Sequence, residues 1–290
     1  MKSIGIITSK EQAELLEYDR DIVKLLSQKN INAEPIVWEE PHKPWESFDM
    51  LLMRTAWGYH LKHEDFRKLL EYFAENNLKV WNPTSIMLEN MHKFYLKTLM
   101  EAGFDVIPTM FLEPNDFKNI EDIAENTGWE KFVIKPAISA SAFDTYIIND
   151  INSFCKDGEI LERFTGKQFL LQKYIPEIET EGEWSIFFFS NSYKYSILKV
   201  PQKGDYRVQI EYGGKYYSEH APDFVFESAK IIADFYMDNC LYLRVDGVVS
   251  NNIFYVMEVE MIEPDLYMNI VPEAKEPFVD AIVQKLNGIH

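Results

Sequence analysis

Near the C-terminal end, two runs rich in β-branched and aromatic residues flank a polar turn: Leu241-Tyr-Leu-Arg-Val-Asp-Gly-Val-Val, then Ser250-Asn251-Asn252, then Ile253-Phe-Tyr-Val-Met-Glu-Val-Glu-Met. This composition reads as a β-hairpin. What constrains the chain is the set of carboxylates inside those runs, Asp246, Glu258 and Glu260. Ionised groups there are costly unless they are paired or hold a cation. As hard oxygen ligands the three suit Mg²⁺; the alternative is a solvated acidic face on an edge hairpin. Side chains alternate along a strand, so Glu258 and Glu260 share a face. Asp246 joins them if the turn holds an odd number of residues, as in a three-residue turn at Ser250, Asn251 and Asn252. A two-residue turn at Asn251-Asn252 places it on the wrong side unless a bulge restores the register.

The rest of the chain is long enough to bury a substantial core around such a hairpin: 290 residues, 47% hydrophobic, without a long Pro-, Gly- or Ser-rich tract. A formal charge of −18 argues against nucleic acid as a partner, since neutralising phosphates needs clustered Lys and Arg. The chain enters Ile4-Gly-Ile-Ile without a basic and apolar leader, and no run is long enough to span a membrane, which gives a cytoplasmic expectation. Cys155 and Cys240 lack metal-ligand spacing and read as free thiols. A homo-oligomer is left open.

From the amino end, Ile4-Gly-Ile-Ile reads as a strand, and Ser9 with Gln12 gives a capping-box spacing before a helix carrying Leu15, Leu16, Ile22, Val23, Leu25 and Leu26. Strands at Pro35-Ile-Val-Trp38, Asp49-Met-Leu-Leu-Met53 and Lys79-Val-Trp81, with a helix carrying Phe66, Leu69, Leu70 and Phe73, complete a strand–helix alternation. That alternation predicts α/β architecture, a small doubly wound sheet with its ligand edge beyond the strand carboxyl ends. Arg54-Thr-Ala-Trp-Gly-Tyr59 follows one of those ends. Arg54 flanked by Trp57 and Tyr59 can grip a small anionic or amino-acid substrate, or the segment is a structural loop in which Arg54 pairs with a carboxylate.

Asn82-Pro-Thr-Ser marks a junction, placing a domain boundary near residue 84 and one domain at 1–84. A helix runs from there to Gly103 and carries Lys93. A strand follows at Phe104-Asp-Val-Ile-Pro-Thr, then a helix at 120–126. Phe132-Val-Ile-Lys-Pro136 ends in Lys135 before the small-residue loop Ala137-Ile-Ser-Ala-Ser-Ala, which can bring a cation and backbone N–H groups to a phosphate chain. The strand Phe169-Leu-Leu-Gln-Lys-Tyr-Ile175 offers an edge that can read a purine. Beyond it, Trp184-Ser-Ile-Phe-Phe-Phe189 and Lys194-Tyr-Ser-Ile-Leu-Lys-Val200 form antiparallel strands joined at Ser190-Asn191-Ser192. Lys199, Lys203 and Arg207 make a local basic cluster, a site for developing negative charge or a salt-bridged loop. Helices at 226–236 and 277–286 complete the pattern.

Lys93, Lys135-Pro136, Gln172-Lys-Tyr-Ile175, Glu183, Arg207, Asp246 and Glu258-Val-Glu260 fall in an order that resembles the ATP-grasp superfamily over essentially the whole chain. Within it the chain is most similar to the glutathione-synthetase-like branch, and there to the cyclo-ligases that form D-cycloserine from O-ureido-D-serine. The segments carrying that closer likeness are Arg54-Thr-Ala-Trp-Gly-Tyr, Lys199-Val-Pro-Gln-Lys-Gly-Asp-Tyr-Arg-Val-Gln, Tyr212-Gly-Gly and Glu258-Val-Glu-Met-Ile-Glu-Pro-Asp-Leu. The chain departs from the family pattern in having Ala and Ser where many phosphate loops have Gly, and Gly58 where an acidic residue is common.

The resemblance implies an α+β nucleotide clamp behind the N-terminal sheet, a second domain at 85–290 divided into subdomains at 85–173 and 174–290. Lys93 and Lys135 would contact the ATP phosphates, with Ser139 and Ser141 in the loop that closes over them. Gln172 belongs to the adenine-edge strand, whose Lys173, Tyr174 and Ile175 would receive the base through the backbone, and Glu183 would hold the ribose. Asp246, Glu258 and Glu260 would bind two Mg²⁺ ions, with Mn²⁺ as a substitute, while Arg207 with Lys199 would stabilise the transferred phosphoryl group. The implied reaction converts a substrate carboxylate to an acylphosphate that an amine-type nucleophile opens. Its substrate would be a small amino-acid-like molecule. Competing expectations are an ATP-binding sensor or partner subunit without catalysis, and a small-molecule kinase.

Overall fold

The computed structural model describes every residue except 42, 141, 191–192, 204–206, 209, 238 and 289–290. Its N-terminal part alternates β1 (Lys2–Thr8), α1 (Glu17–Gln28), β2 (Ile31–Val37), β3 (Met50–Thr55), α2 (His63–Glu75) and β4 (Val80–Trp81). The strands form a parallel sheet in the order β2-β1-β3-β4. Ile4, Ile6 and Ile7 of β1 and Leu51, Leu52 and Met53 of β3 are all buried, as expected of strands covered on both faces. The expected capping box is absent. Ser9 makes no side-chain cap and leads into a short 3₁₀ turn, and α1 begins only at Glu17.

The expected continuous helix up to Gly103 is two helices, α3 (Thr84–Asn90) and α4 (Tyr95–Glu101). Between them the Lys93 N–H donates to the Ala137 carbonyl at 2.8 Å, so it leaves the helical ladder and its side chain leaves the helix surface. The strand expected at 104–109 is displaced to β5 (Thr109–Leu112), because residues 105–107 pair instead with Val256. There follow α5 (Ile120–Thr127), β6 (Phe132–Pro136), β7 (Tyr146–Ile148), α6 (Ile151–Phe154), α7 (Gly158–Phe164) and β8 (Phe169–Lys173). Their strands form an antiparallel sheet, order β5-β8-β6-β7.

The remainder comprises α8 (Glu177–Thr180), β9 (Glu183–Phe189), β10 (Tyr193–Val200), β11 (Lys215–Ser218), α9 (Asp223–Met237), β12 (Tyr242–Ser250), β13 (Ile253–Glu260) and α10 (Lys275–Leu286). Its sheet is antiparallel, order β11-β10-β9-β12-β13. Period-two alternation divides it cleanly. Trp184, Ile186, Phe188, Leu243, Val245 and Val259 pack with α9, whereas Phe187, Phe189 and Tyr242 pack with α10 and the N-terminal sheet. The second face also carries the charged residues described below. Among the described residues, no helix is long and apolar enough to cross a membrane.

Candidate active site

The cross-strand register assembles a grid of polar side chains on one sheet face. Lys199 of β10 stands opposite Glu183 of β9, Ser185 of β9 opposite Asp246 of β12, Asp246 opposite Glu258 of β13, and Arg244 opposite Glu260. The turn is the two-residue one, Asn251-Asn252, with both residues at positive φ (52° and 61°). A register shift between Asp246 and Gly247, where Gly247 pairs with Val256, compensates for it. Of the two alternatives left open by the sequence, the even turn with a bulge is the one found, and the bulge puts Asp246 on the face of Glu258 and Glu260.

Each carboxylate of the grid carries a protein cation. Arg244 grips Asp246 from Nε at 3.0 Å and Nη2 at 2.8 Å, and its Nη2 also bonds Glu260. Lys199 Nζ lies 2.7 Å from Glu183 and 3.4 Å from Asp246, and Lys93 pairs with Glu258. Burial alone would raise the Asp246 carboxyl, but Arg244 and Lys199 hold it at about 2. Glu260 is pushed up to about 8 by burial, with Asp246, Glu258 and Glu263 adding to the shift against the opposing pull of Arg244. The face gathers four carboxylates, Glu183, Asp246, Glu258 and Glu260, against the cations Lys93, Lys199 and Arg244, and it offers hard oxygen donors of the kind that suit Mg²⁺. With Lys93 and Arg244 on their oxygens, no three acidic, His or Cys side chains among the described residues are arranged to hold an ion.

The grid forms one wall of a cavity of about 550 Å³. Lys135, at the end of β6, enters from the opposite sheet and makes no ion pair among the described residues. Burial, and then Lys93, lower its ammonium to about 8. Ile107, Ile175, Val208, Val248 and Met257 make an apolar slot at the end of β8. There the N–H groups of Lys173 and Tyr174 are spent on the Pro108 and Lys131 carbonyls, so of this trio it is the Ile175 N–H that bonds no described residue. Gln172 ties β8 to β5 through Thr109 at 2.9 Å. Ser139 and Arg207 line the same cavity, and the Arg207 guanidinium stacks 3.7 Å above the Tyr212 ring. Ser141 lies outside the described residues.

Similarities to known proteins extend this picture. Family models for the N-terminal domain of D-cycloserine synthetase DcsG and for the tubulin-tyrosine ligase family match residues 4–82 and 60–177. The chain is 23% identical over 304 residues to the cycloserine biosynthesis protein DcsG of Streptomyces lavendulae, covering 98% of this chain and 99% of that protein. Against the glutathione synthetase of Coxiella burnetii it is 22% identical over 222 residues, 71% of this chain and 63% of that protein. The crystal structure of DcsG superposes with a TM-score of 0.82 at 21% identity, over 98% and 99% of the two chains. That of D-alanine–D-alanine ligase from Bacillus anthracis complexed with ATP superposes with 0.72 at 16%, over 100% and 98%. The chain has the ATP-grasp fold.

Within this ATP-grasp fold, two sequence expectations change. Arg54 does not reach the cavity: it is 1% exposed, paired to Asp19 of α1 at 3.0 Å and bonded to the Pro264 carbonyl at 3.3 Å. Trp57 and Tyr59 do line the cavity, and the Trp57 indole donates to the Glu263 carbonyl at 3.1 Å. Lys199 is engaged by Glu183 and Asp246, so it acts on the carboxylates instead of reaching out as a free cation. Sequence reasoning missed Arg244, Ser185, Glu263 and Asp265. For Arg244 the signal was present, since it lies two residues before Asp246 and hence on the same strand face.

Proposed function

We propose that the chain is an ATP-dependent ligase that activates a carboxylate of a small amino-acid-like substrate as an acylphosphate, which an amine-type nucleophile then opens. The observation that carries this reading is the meeting, in one cavity, of an apolar slot, Lys135, which makes no ion pair among the described residues, Arg207 and the carboxylate–cation grid of β9, β10, β12 and β13. A nucleotide with its base in the slot, against the Ile175 N–H, would run its phosphates toward Lys135 and Lys93. Glu183 keeps Oε1 on Lys199, and its Oε2 is available to ribose hydroxyls. The domain division at residue 84 is part of the same proposal.

Asp246, Glu258 and Glu260 would hold Mg²⁺, two ions in the full reading with Mn²⁺ able to replace them. Bound there, the metal supplies Lewis-acid charge to the phosphate oxygens. A substrate carboxylate oxygen attacks the γ-phosphorus, the bond to the β–γ bridging oxygen breaks, and ADP leaves. The amine then attacks the activated carbonyl, phosphate departs, and the amine loses a proton. Arg207 offsets charge on the transferring group, and losing one such donor typically costs about 10²- to 10³-fold in rate. Lys199 and Arg244 keep Asp246 ionised and oriented.

ADP and phosphate release against a panel of amino acids, with hydroxylamine added to trap an acylphosphate, tests the reading. Substrate-dependent ADP release with a hydroxamate product is expected, and Asp246→Asn should abolish both. Substrate-dependent release without hydroxamate from the wild type would instead identify a kinase. Normal turnover by Asp246→Asn would refute the metal assignment.

A further inference from the structure

The segment that follows β13 is held to an unusual degree by side chains. Of six consecutive carbonyls, Met261 to Leu266, five accept from a side chain of their own, Asn82 Nδ2 at 2.7 Å, Trp57 Nε1 at 3.1 Å, Arg54 Nη1 at 3.3 Å, Arg244 Nη1 at 3.1 Å and the Tyr195 hydroxyl at 2.6 Å, while Ile262 shares the Tyr242 hydroxyl with the Met53 carbonyl. Tyr18 adds a bond to the Asp265 carboxylate at 2.8 Å. Donors from the parallel sheet, the domain junction and the antiparallel sheet thus converge on one short stretch, which fixes its backbone against the cavity wall.

That rigid stretch presents one carboxylate without a partner. Glu263 is 9% exposed and lines the cavity, yet among the described residues no other residue donates a hydrogen bond to its carboxylate and none forms an ion pair with it. The grid carboxylates Glu183, Asp246, Glu258 and Glu260 each have a Lys or Arg of the protein on them, and Asp265 has the Tyr18 hydroxyl and the Tyr267 N–H. A buried carboxylate is stabilised by a matching cation, and the cavity that Glu263 lines is where one could reach it. Trp57 and Tyr59 line the cavity beside it, and Trp57 holds its own main chain. Glu258 and Glu260 lie near enough for their charge to be felt there, and a single carboxylate flanked by aromatic rings suits an ammonium head, whereas a divalent ion requires several oxygens directly on it.

We infer that Glu263, held in place by the Trp57, Arg54 and Arg244 hydrogen bonds to its segment, is the subsite for the ammonium group of the substrate, which makes the substrate a primary amino acid and not its hydroxy-acid counterpart. The inference rests on the ligase reading for the fate of the substrate but not for its binding. Both can therefore be tested separately.

Thermal-shift titrations with ADP and Mg²⁺ present, using D- and L-α-amino acids and the matching α-hydroxy acids as probes, read binding without turnover. At least one amino acid should stabilise the wild type and its hydroxy counterpart should not. In Glu263→Gln the apparent amino-acid affinity should fall about 10- to 100-fold, the span expected for losing a charged hydrogen-bond partner, while Glu263→Asp retains part of it. The Mg²⁺ midpoint and ADP affinity serve as folding controls in each variant. Equal binding of hydroxy acids, no binding of any amino acid, or a Glu263→Gln variant that shifts the Mg²⁺ midpoint and leaves amino-acid binding unchanged would overturn the subsite. Amino-acid binding without ADP release would uphold it and refute the ligase reading.

Discussion

Asp246 faces Glu258 directly across the β12–β13 ladder even though the turn joining the strands has two residues. The even turn alone would set the carboxylates on opposite faces, and the shift at Gly247 reverses that. Gly247 is required there: a Cβ would meet the Phe254 ring and the Tyr255 carbonyl oxygen, each at 2.6 Å.

Gly247→Ala should therefore act on both fold and site. The carbonyl contact cannot be relieved by a rotamer change, so the bulge must move. We expect a loss of about 1–3 kcal/mol in unfolding free energy, read from urea midpoints, together with weakened Mg²⁺-dependent ADP binding. Wild-type Mg²⁺ dependence in a well-folded Gly247→Ala protein would show that the bulge does not set the site.

Arg244 serves Asp246 and Glu260 at once. Arg244→Met leaves the buried Asp246 and the half-buried Glu260 without their main counter-charge, and breaking a buried pair such as Arg244–Asp246 costs about 3–5 kcal/mol. Urea unfolding should record that loss. The double variant Arg244→Met/Asp246→Asn should be less destabilised than the sum of the two singles, because it no longer strands an ionised Asp246. Simple additivity would argue against the pairing.

These two residues also mark where the sequence was legible. Alternation along Leu241-Tyr-Leu-Arg-Val-Asp is a local property, so the shared face of Arg244 and Asp246 could be read from spacing alone, as could the parallel α/β pattern of the first strands. The bulge could not, because it depends on Phe254 and Tyr255 packing against a glycine on the other strand. The break between α3 and α4 arises from a hydrogen bond between Lys93 and Ala137, a partner far along the chain. Arg54 was visible as a cation at a strand end, but nothing local announced that Asp19 of α1 would neutralise it.

Lys135 gives a pH prediction with a definite sign. Its folded pKa, lowered to about 8 by burial and Lys93, means the free protein loses this proton as pH rises through about 8, whereas an unfolded lysine keeps it to about 10.4. A phosphate beside Lys135 favours the charged form, so binding at higher pH must take up a proton. ADP affinity should be flat below about pH 7 and weaken by up to about tenfold per unit above pH 8. Calorimetry in buffers of differing ionisation enthalpy would show the uptake, and Lys135→Met should remove the break at lower overall affinity. An unchanged break in Lys135→Met would assign it to another group. The same shift predicts a stability contribution: the penalty for burying the charged form disappears as pH rises from about 8 to 10.4, so Lys135→Met should stabilise the ligand-free protein more at pH 7 than at pH 10.

Arg54 can be distinguished as a strut or a substrate contact by its partner. If it gripped substrate directly, Asp19→Asn, a nearly isosteric change remote from the cavity, would leave amino-acid-stimulated ADP release almost untouched. As a strut, Arg54 transmits the position of α1 to the Pro264 carbonyl, and both Arg54→Met and Asp19→Asn should raise the KM for the carboxylate substrate while leaving ADP affinity near wild type. The buried pair predicts a stability loss of about 3–5 kcal/mol for Arg54→Met, which leaves Asp19 buried without its counter-charge. Asp19→Asn should cost less, because the guanidinium keeps the Pro264 carbonyl, the Tyr18 hydroxyl and the rings of Tyr18, Tyr242 and Phe278 around it. The double variant should then show a KM close to that of Arg54→Met alone, since both changes cut the same connection; a KM equal to the product of the two single effects would return Arg54 to the list of direct substrate contacts.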